Sequence, residues 1–434
     1  MSTLAEVRLW GTTIGAVLLE DGGPCATFEY ADGFLASRIQ VAPLTMPLGP
    51  GRFQFTGMNR ATFHGLPGLL ADSLPDRFGN ALIDAWLESQ GRAPASFNAV
   101  ERLAYVGRRG MGALEFEPAT GPQARAAETL EVAAMVELAS AILSQRADLA
   151  GYLSEDSRAG TLKEILQVGT SAGGARAKAV IAWNPATQEL RSGQVPADPG
   201  FEHWLLKFDG VSGNRDQELE DPQGYGRIEY AYHRMAADAG VDMRPCRLLH
   251  ENGRSHFMTR RFDRAEGGGK LHMQTLGALA HFDFHDAGAH AYEQAFRVVR
   301  QLELRPADLE QLFLRMVFNV VARNQDDHVK NIAFLMDKRG AWSLAPAYDV
   351  IYSYQPAGAW TGSHQMSLNG KRDGFVPEDF VACGRTAGLK RGRAAAMLEE
   401  VTAVVARWPD YAEEAGVRAE QREKIRRTLR LDLA

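Results

Sequence analysis

The stretch ARNQDDHVKNIAFLMDKRGAWSLAPAYD, from Ala322 to Asp349, decides the fold of this chain. Charged and amide side chains cluster in its first ten residues, and it ends on a lone acid, Asp349. Between them, the apolar runs IAFLM and AWSLAPA flank the turn DKRG and are predicted to pair as antiparallel strands. Such a hairpin would bring Asn331 and Asp349 together although they lie far apart in the chain.

The residues before this stretch predict a helix that leads into it. Apolar residues recur there at intervals of three and four: Leu309, Leu312, Phe313, Met316, Val317, Val320 and Val321. Further upstream, from about 165 to 262, the runs AKAVIAW, HWLLKFDG and CRLLHENGRSHFMTRRFD predict strands. One helix, GRIEYAYHRMAADAG, interrupts them, with Gly240 as its candidate C-cap. A strand-rich region therefore precedes a helical one, and we expect a site in the cleft between them.

The first 119 residues form a separate pattern. Short apolar runs and glycine pairs at 4–30 predict strands and tight turns, and GLPGLLADSLPDRFGNALIDAWLES predicts helices with Ser73, Pro75 and Asp76 as start signals. Composition changes at 117–128, which is rich in Pro, Ala and Gly. We therefore predict an α+β chain with an N-terminal α/β module at 1–119, a strand-rich domain at 120–264 and a helical domain at 265–434.

Composition narrows the class of protein. The 434 residues carry 48 basic and 54 acidic side chains, a formal net charge of −6, which argues against binding nucleic acid through a broadly basic surface. We expect no signal peptide at the N-terminus and no membrane span, since no apolar run reaches the length needed. The three cysteines lie far apart and form no CxxC pair, which is typical of a reduced cytoplasm.

The spacing of Asp326 and Asn331 is that of a phosphotransfer catalytic loop, D-x-x-x-x-N. In that chemistry the Asp accepts or orients the proton of the attacking hydroxyl, while the Asn and a second Asp hold Mg²⁺ through hard oxygen atoms. Asp326 is then the catalytic base, and Asn331 and Asp349 are the metal ligands. The register selects Asp326 rather than its neighbour Asp327. A solvated loop after a helix is the alternative.

Groups that could bind nucleotide phosphates precede this loop. Lys207 lies inside the strand-like run HWLLKFDG, where a kinase places the Lys that contacts the α- and β-phosphates. Glu229, in the interrupting helix, is a candidate for the ion pair that orients this Lys. Gly173 and Gly174 precede another strand and would let backbone N–H groups approach phosphate, although no Walker A sequence is present. An edge-strand Lys, a surface Glu and a plain turn are the alternatives.

Taken together, these motifs resemble the HipA family of serine/threonine kinase toxins over essentially the whole chain. FHGLPGLLADSLPDRFG is similar to the family's N-terminal module, TSAGGARAK to its phosphate loop and LLKFD to its nucleotide-Lys strand. RRFDR is similar to the segment at its hinge, and NQDDHVKN and LAPAYDV to its catalytic and metal motifs. The resemblance implies a protein-kinase-like fold with a strand-rich N lobe and a helical C lobe, preceded by the extra module.

The resemblance also implies ATP and Mg²⁺ as cofactors and assigns roles to individual residues. The implied ATP-binding residues are Gly173, Gly174, Ala175, Arg176, Ala177, Lys178, Lys207, Arg260, Arg261, Phe262, His328, Lys330 and Tyr348. Ser171 matches the serine that the family autophosphorylates to shut itself off, because a phosphate there would repel ATP. Arg260 stands where the archetype has an acidic hinge residue, and Arg176 and Ala177 also differ from the archetype.

The implied partners are a small helix-turn-helix antitoxin of the HipB type and a protein substrate such as an aminoacyl-tRNA synthetase. Operator DNA would be reached only through the antitoxin, and the protein would be cytoplasmic. Two other functions stay open at this point. One is a small-molecule kinase with the same residues, and the other is a catalytically silent corepressor that acts through an antitoxin.

Three further features favour structural interpretations. His281 and His285 are spaced like a zinc pair on a helix, but Phe, Gly and Ala surround them and no HExxH pattern is present. The basic patch LKRGR at 389–393 is predicted to be a solvated turn, although it could touch DNA inside a complex. The Arg- and Glu-rich segment from Gln421 is typical of a solvated helix face.

Overall fold

The computed structural model describes residues 2–122, 130–144, 156–169, 176–194, 199–211, 215–216, 219–220, 223–265 and 268–433. Its strands are β1 (Thr3–Leu9), β2 (Thr12–Leu19), β3 (Thr27–Tyr30), β4 (Arg52–Gln54), β5 (Leu114–Glu117), β6 (Lys178–Trp183), β7 (Leu190–Ser192), β8 (Glu202–Lys207), β9 (Arg215–Asp216), β10 (Leu219–Glu220), β11 (Cys246–Glu251), β12 (Arg254–Arg260), β13 (His272–Thr275), β14 (Ala333–Met336) and β15 (Trp342–Leu344). Gly173, Gly174, Ala175 and Ser171 lie outside the described residues.

The described α-helices are spread over both halves of the chain. They are α1 (Asp32–Leu35), α2 (Arg60–Phe63), α3 (Gly68–Ala71), α4 (Arg77–Ser89), α5 (Ala99–Val106), α6 (Val132–Leu143), α7 (Asp156–Gly169), α8 (Tyr225–Asp238), α9 (Leu276–Ala280), α10 (Tyr292–Gln301), α11 (Pro306–Val321), α12 (Pro377–Ala387), α13 (Arg393–Val405), α14 (Trp408–Glu414) and α15 (Ala419–Arg426). Short 3₁₀ turns occur at Pro94–Ser96 and Val329–Asn331. None of the helices in the described ranges is both long and apolar enough to cross a membrane.

The described residues form four antiparallel sheets; one pairs only β9 with β10, and the other three have three or more strands. The first has the strand order β4-β3-β2-β1-β5, the second β11-β12-β8-β6-β7, and the third β13-β14-β15. β14 and β15 pair antiparallel, with Phe334 opposite Leu344, which confirms the predicted hairpin. The predicted helices at 226–240 and 309–321 are confirmed as α8 and α11. Gly240 follows the end of α8 with φ 86°, a backbone conformation that glycine adopts without strain.

The buried apolar residues form separate cores. One lies under the first sheet and includes Met336 of the hairpin. A second combines the second sheet with α4, α6 and α7, and a third fills the helical region around α11. Because α4 packs against α6 and α7 in the core of the second sheet although it follows the first in the chain, the N-terminal residues are attached to this neighbouring region as well. The division at 1–119, 120–264 and 265–434 remains a prediction.

Candidate active site

Lys207 lies between two carboxylates at the end of β8, the central strand of the second sheet. Its Nζ is 2.5 Å from Oε1 of Glu229 and also contacts Oδ1 of Asp349. Lys207 is the last residue of β8, and Glu229 is a buried residue of α8, the helix packed on that sheet. Asp349 comes from the segment after the hairpin, so three separate parts of the chain converge on one ammonium group.

The charges around this triad keep Lys207 protonated and Asp349 ionised. Burial lowers the pKa of Lys207, but Asp349 and Glu229 outweigh it and hold the pKa above its ordinary value. Burial raises the pKa of the Asp349 carboxyl, but Lys207 and Lys178 overcome it and keep that pKa well below its usual range. Burial also raises the pKa of Glu229, in spite of Lys207. An ionised Asp349 is a hard oxygen ligand of the kind that Mg²⁺ binds.

The hairpin positions Asp349 beside the catalytic-loop candidate. Ala345 N donates to Ala333 O over 2.9 Å, and Tyr348 OH donates to Lys330 O over 2.5 Å, so the two ends of the hairpin meet. Asp349 itself has φ 53°, a left-handed conformation that is uncommon for a residue other than glycine. Its backbone therefore turns at the point where its carboxylate reaches Lys207.

The loop from Asp326 to Asn331 is held by its own side chains. The Asn331 amide nitrogen donates to Asp326 O over 2.8 Å, so the amide oxygen is the atom of this side chain that could bind a metal. His328 Nδ1 accepts from Lys330 N at the start of the 3₁₀ turn. Asp326 Oδ1 accepts a hydrogen bond from the Trp360 indole over 2.7 Å and lies 3.8 Å from His328 Nε2.

The two adjacent acids have different environments. Asp327 is 3% exposed and accepts hydrogen bonds from Tyr292 OH, His364 Nδ1 and Gln365 N, each over 2.8 Å. Asp326 is partly buried, with 13% of its side chain exposed, and it is directed toward Trp360 and His328. A carboxylate held by three donors stabilises the fold, whereas a partly exposed one can meet a substrate. This geometry supports the choice of Asp326 as base, which stays a prediction.

The predicted hinge residues divide between three environments. Phe262 is buried with Ala333, Leu335 and Ala345, and Tyr348 packs against it at 5.5 Å between ring centroids. Arg261 is buried, and its guanidinium binds both oxygens of Asp263. The side chain of Arg260 is 42% exposed and pairs with Glu202 at 3.6 Å. Only Phe262 thus contributes to an apolar surface beside the triad, and the ATP contacts of all three stay predictions.

The described end of the predicted phosphate loop is also buried. Arg176 stacks its guanidinium 4.1 Å from the centroid of the Tyr225 ring. Ala177 is fully buried. Lys178 begins β6 directly opposite Lys207 of β8, and its Nζ lies 3.3 Å from Oδ2 of Asp76. Lys178 and Arg176 both lower the pKa of Asp349 by their charge, so this end of the loop lies close to the triad.

Two acids of the N-terminal module lie close to Lys178 and Lys330, and neither was predicted from the sequence to be a site residue. Asp76 caps α4 through Oδ1, which accepts from Gly79 N over 2.7 Å, and turns Oδ2 toward Lys178. Asp72 accepts from both the backbone N and the hydroxyl of Thr275, over 2.7 and 2.9 Å. The segment GLLADSLPD signals helix starts, but nothing local in it reveals these distant partners.

The predicted metal residues fit a cation that is completed by phosphate oxygens. Asn331 and Asp349 offer one amide and one carboxylate oxygen, a donor set that Mg²⁺ accepts when substrate phosphates and water supply the rest. Within the described ranges, no group of three or more His, Cys, Asp or Glu side chains could hold a metal by itself. His281 accepts a hydrogen bond from Gly68 N, and His285 Nδ1 contacts the Thr62 hydroxyl, so each has another partner.

Comparison with known proteins gives the family. The model of the HipA N-terminal domain matches residues 5–117, and that of the HipA-like C-terminal domain matches residues 170–408. "Putative kinase Y4mE" of Sinorhizobium fredii is 32% identical over 127 residues, 27% of this chain and 30% of that protein. A Haemophilus influenzae "Putative kinase" is 26% identical over 217 residues, 42% of this chain. The matches span 30% and 63% of the lengths of these two relatives.

A solved structure gives the fold. A chain of the Shewanella oneidensis MR-1 toxin–antitoxin complex of HipA, HipB and operator DNA superposes with a TM-score of 0.64 at 16% identity, covering 98% of this chain and 94% of that one. The match confirms the predicted α+β fold with a strand-rich part, a helical part and an N-terminal module. With a family model over more than half of its residues, this chain belongs to the HipA family.

Proposed function

We propose that this chain is an ATP- and Mg²⁺-dependent serine/threonine protein kinase that acts as the toxin of a type II toxin–antitoxin system. The observation that carries the proposal is the Lys207–Glu229–Asp349 triad, which lies beside the loop from Asp326 to Asn331. Kinase chemistry needs this combination of a phosphate-binding Lys, its orienting Glu, two oxygen ligands and a base. The relatives' names support the same class of activity.

Each residue has a definite task in this reaction. Lys207 binds the phosphates of ATP, and Glu229 holds its ammonium group in place. Asn331 and Asp349 would hold Mg²⁺, which when bound supplies positive charge against the phosphate oxygens. Asp326 orients the acceptor hydroxyl and takes its proton as the hydroxyl oxygen bonds to the γ-phosphorus. The bond from the γ-phosphorus to the bridging oxygen breaks, and ADP leaves with that oxygen.

The remaining predicted residues complete the nucleotide site in this proposal. Around the triad and the catalytic loop lie Arg176 to Lys178, His328, Lys330 and Tyr348. Phe262 supplies apolar surface for the adenine. Gly173, Gly174 and Ala175 would cover the phosphates, while Arg260 and Arg261 would contribute their backbone at the hinge. Ser171 would be the site of autophosphorylation, with the inhibitory effect that a new dianion has beside ATP.

The proposed partners follow from the family. A HipB-type antitoxin is supported by the solved complex of HipA, HipB and operator DNA. DNA would be contacted through that antitoxin, and the substrate would be a protein of translation such as an aminoacyl-tRNA synthetase. The protein would act in the cytoplasm.

The test is transfer of labelled γ-phosphate in the presence of Mg²⁺ by the wild type and by Asp326→Asn. We expect label on Ser171 and on an added protein substrate in the wild type, and a loss of about 100-fold or more in the variant, since general-base catalysis is worth about 10²–10⁴. Unchanged thermal stability of the variant is the control. Equal labelling by both proteins would remove Asp326 from its role, and no transfer by the wild type would refute the kinase proposal.

A further inference from the structure

A segment that follows the last helix binds the polypeptide just ahead of the catalytic loop. We define it as the tail segment, residues 428–433. Arg430 N donates to Val321 O over 3.0 Å, and Arg430 Nη1 donates to Val320 O over 2.8 Å. In the other direction, Arg323 Nε donates to Thr428 O over 2.7 Å. These bonds attach the tail segment to the end of α11 and to the residues that lead into the loop.

The Arg430 guanidinium also determines which ring nitrogen of a buried histidine, His364, carries the hydrogen. Its Nη1 lies 2.9 Å from His364 Nε2, and both side chains are buried. Arginine has only donors, so Nε2 must be the acceptor and the imidazole hydrogen must reside on Nδ1. His364 Nδ1 then donates to Asp327 Oδ2 over 2.8 Å. Arg430 therefore selects the one neutral tautomer that can hold Asp327.

The same guanidinium holds the residue on the other side of the base. Arg430 Nη2 donates to Gln325 Oε1 over 3.1 Å, and Gln325 Nε2 donates to Thr361 O over 3.0 Å. Gln325 is fully buried, and its backbone N donates to Ser353 O. Arg430 thus binds Gln325 directly and Asp327 through His364. These two residues flank Asp326, the proposed base.

We propose that Arg430 is a positioning residue for the catalytic loop and that the tail segment is part of the catalytic apparatus. It contacts neither ATP nor the acceptor, and it acts by fixing both neighbours of Asp326. The catalytic consequence rests on the proposed kinase function, whereas the ordering of the loop does not. The physical reason is preorganisation, because a base that is misplaced by a fraction of its hydrogen-bond length transfers a proton poorly.

The experiment uses the whole 434-residue chain with Arg430→Met. This substitution keeps a long side chain and removes every side-chain hydrogen-bond donor. We expect kcat to fall by about 100-fold, the loss associated with a misplacement of about 1 Å, while KM for ATP changes by less than about threefold. Arg430→Lys retains a charge but not the forked donors and should recover only part of kcat. Hydrogen exchange of amides in 322–331 should become faster in Arg430→Met.

Arg427→Met is the matched control, since Arg427 caps α15 just ahead of the tail segment, is 73% exposed in its side chain and pairs with Glu423 of the same helix. It should leave kcat and exchange unchanged. If Arg430→Met does not fold, His364→Gln and Asp373→Asn test the same network from its other members; Asp373 accepts from Arg430 Nη2 over 2.6 Å. Wild-type kcat together with wild-type exchange in Arg430→Met would overturn the proposal.

The two proposals can fail separately. If the wild type transfers no phosphoryl group, the kinase proposal fails, and hydrogen exchange still decides whether Arg430 orders residues 322–331. If the wild type is active and Arg430→Met exchanges and reacts as the wild type does, the tail segment has no positioning role and the kinase proposal stands.

Discussion

At the scale of single residues, the site is governed by one buried cation between two carboxylates. The side chain of Lys207 is 11% exposed, and those of Glu229 and Asp349 are 4% and 29% exposed. Removing the ammonium group or the carboxylates leaves the opposite charge unpaired in a buried site. This loss lowers the free energy of unfolding far more than the loss of a surface ion pair does. The triad is therefore a source of stability as well as the proposed nucleotide site, and the two effects can be separated by mutation.

Lys207→Met should lower the free energy of unfolding by about 3–5 kcal/mol and abolish ATP binding, because Glu229 and Asp349 would face each other unpaired. Chemical unfolding and calorimetric titration measure the two effects. Arg260→Met, which removes an exposed partner of Glu202, should cost no more than about 1 kcal/mol. Adding Glu229→Gln to Lys207→Met should recover part of the stability. A Lys207→Met protein of wild-type stability would contradict this account.

At the scale of elements, the hairpin β14–β15 and the segment GLLADSLPD each bring acidic residues to the proposed site. The hairpin joins Asn331 to Asp349 through short-range pairing. GLLADSLPD crosses from the N-terminal module and approaches α9 so closely that a Cβ at Gly68 would collide with the carbonyl of Ala278. Gly68 is required there for the close approach, and the following turn delivers Asp72 and Asp76.

Asp76→Asn should raise the affinity for ATP by roughly 3- to 10-fold, since Asn still caps α4 but no longer opposes phosphate at Lys178. Titration with a non-hydrolysable ATP analogue measures it. Asp84→Asn is the control: Asp84 lies about 12 Å further along the same helix by its rise per residue and pairs with Arg102 at 2.8 Å. An unchanged affinity in Asp76→Asn would show that the N-terminal module does not influence the nucleotide.

The elements also show what the sequence could predict and what it could not. The hairpin, α8 and α11 were predictable because turn residues and apolar periodicity are local signals. Asp76 was recognised as a helix start, yet its contact with Lys178 depends on two elements that only the tertiary structure joins. The buried set of Asp327, His364 and Arg430 is equally non-local. The D-x-x-x-x-N spacing distinguishes Asp326 from Asp327, but it carries no signal for the donors that hold Asp327.

At the scale of the whole molecule, the N-terminal module is docked on the hairpin sheet. Trp342 Nε1 donates to Gln40 O over 3.2 Å, and Met336 belongs to the core under the first sheet. His272 of β13 is fully buried at this contact, with Nε2 3.3 Å from Val41 O and 2.9 Å from Gln274 Nε2. The docking therefore encloses a titratable group.

Acidification should weaken this docking. Burial lowers the pKa of His272 from 6.5 to about 4, so between these two values the unfolded chain binds the proton and the folded one does not. Stability contributed by neutral His272 is present above pH 6.5 and is lost as the pH falls toward 4, by an amount of the order of 3 kcal/mol. Urea unfolding of the wild type and of His272→Gln at several pH values should give a flatter acid limb for the variant. Identical slopes would exclude His272 as a source of the dependence.

The central claim is that Asn331 and Asp349 bind one cation together with the nucleotide that Lys207 holds. Its most direct test is calorimetric titration of a non-hydrolysable ATP analogue with and without Mg²⁺, on the wild type, Asp349→Asn and Asp337→Asn. Asp337 lies in the turn of the same hairpin and caps it through Ala341 N, so it is the control. The account predicts that Mg²⁺ raises affinity about tenfold or more, about 1.4 kcal/mol, in the wild type and in Asp337→Asn but not in Asp349→Asn. An equal response to Mg²⁺ in all three proteins would contradict it.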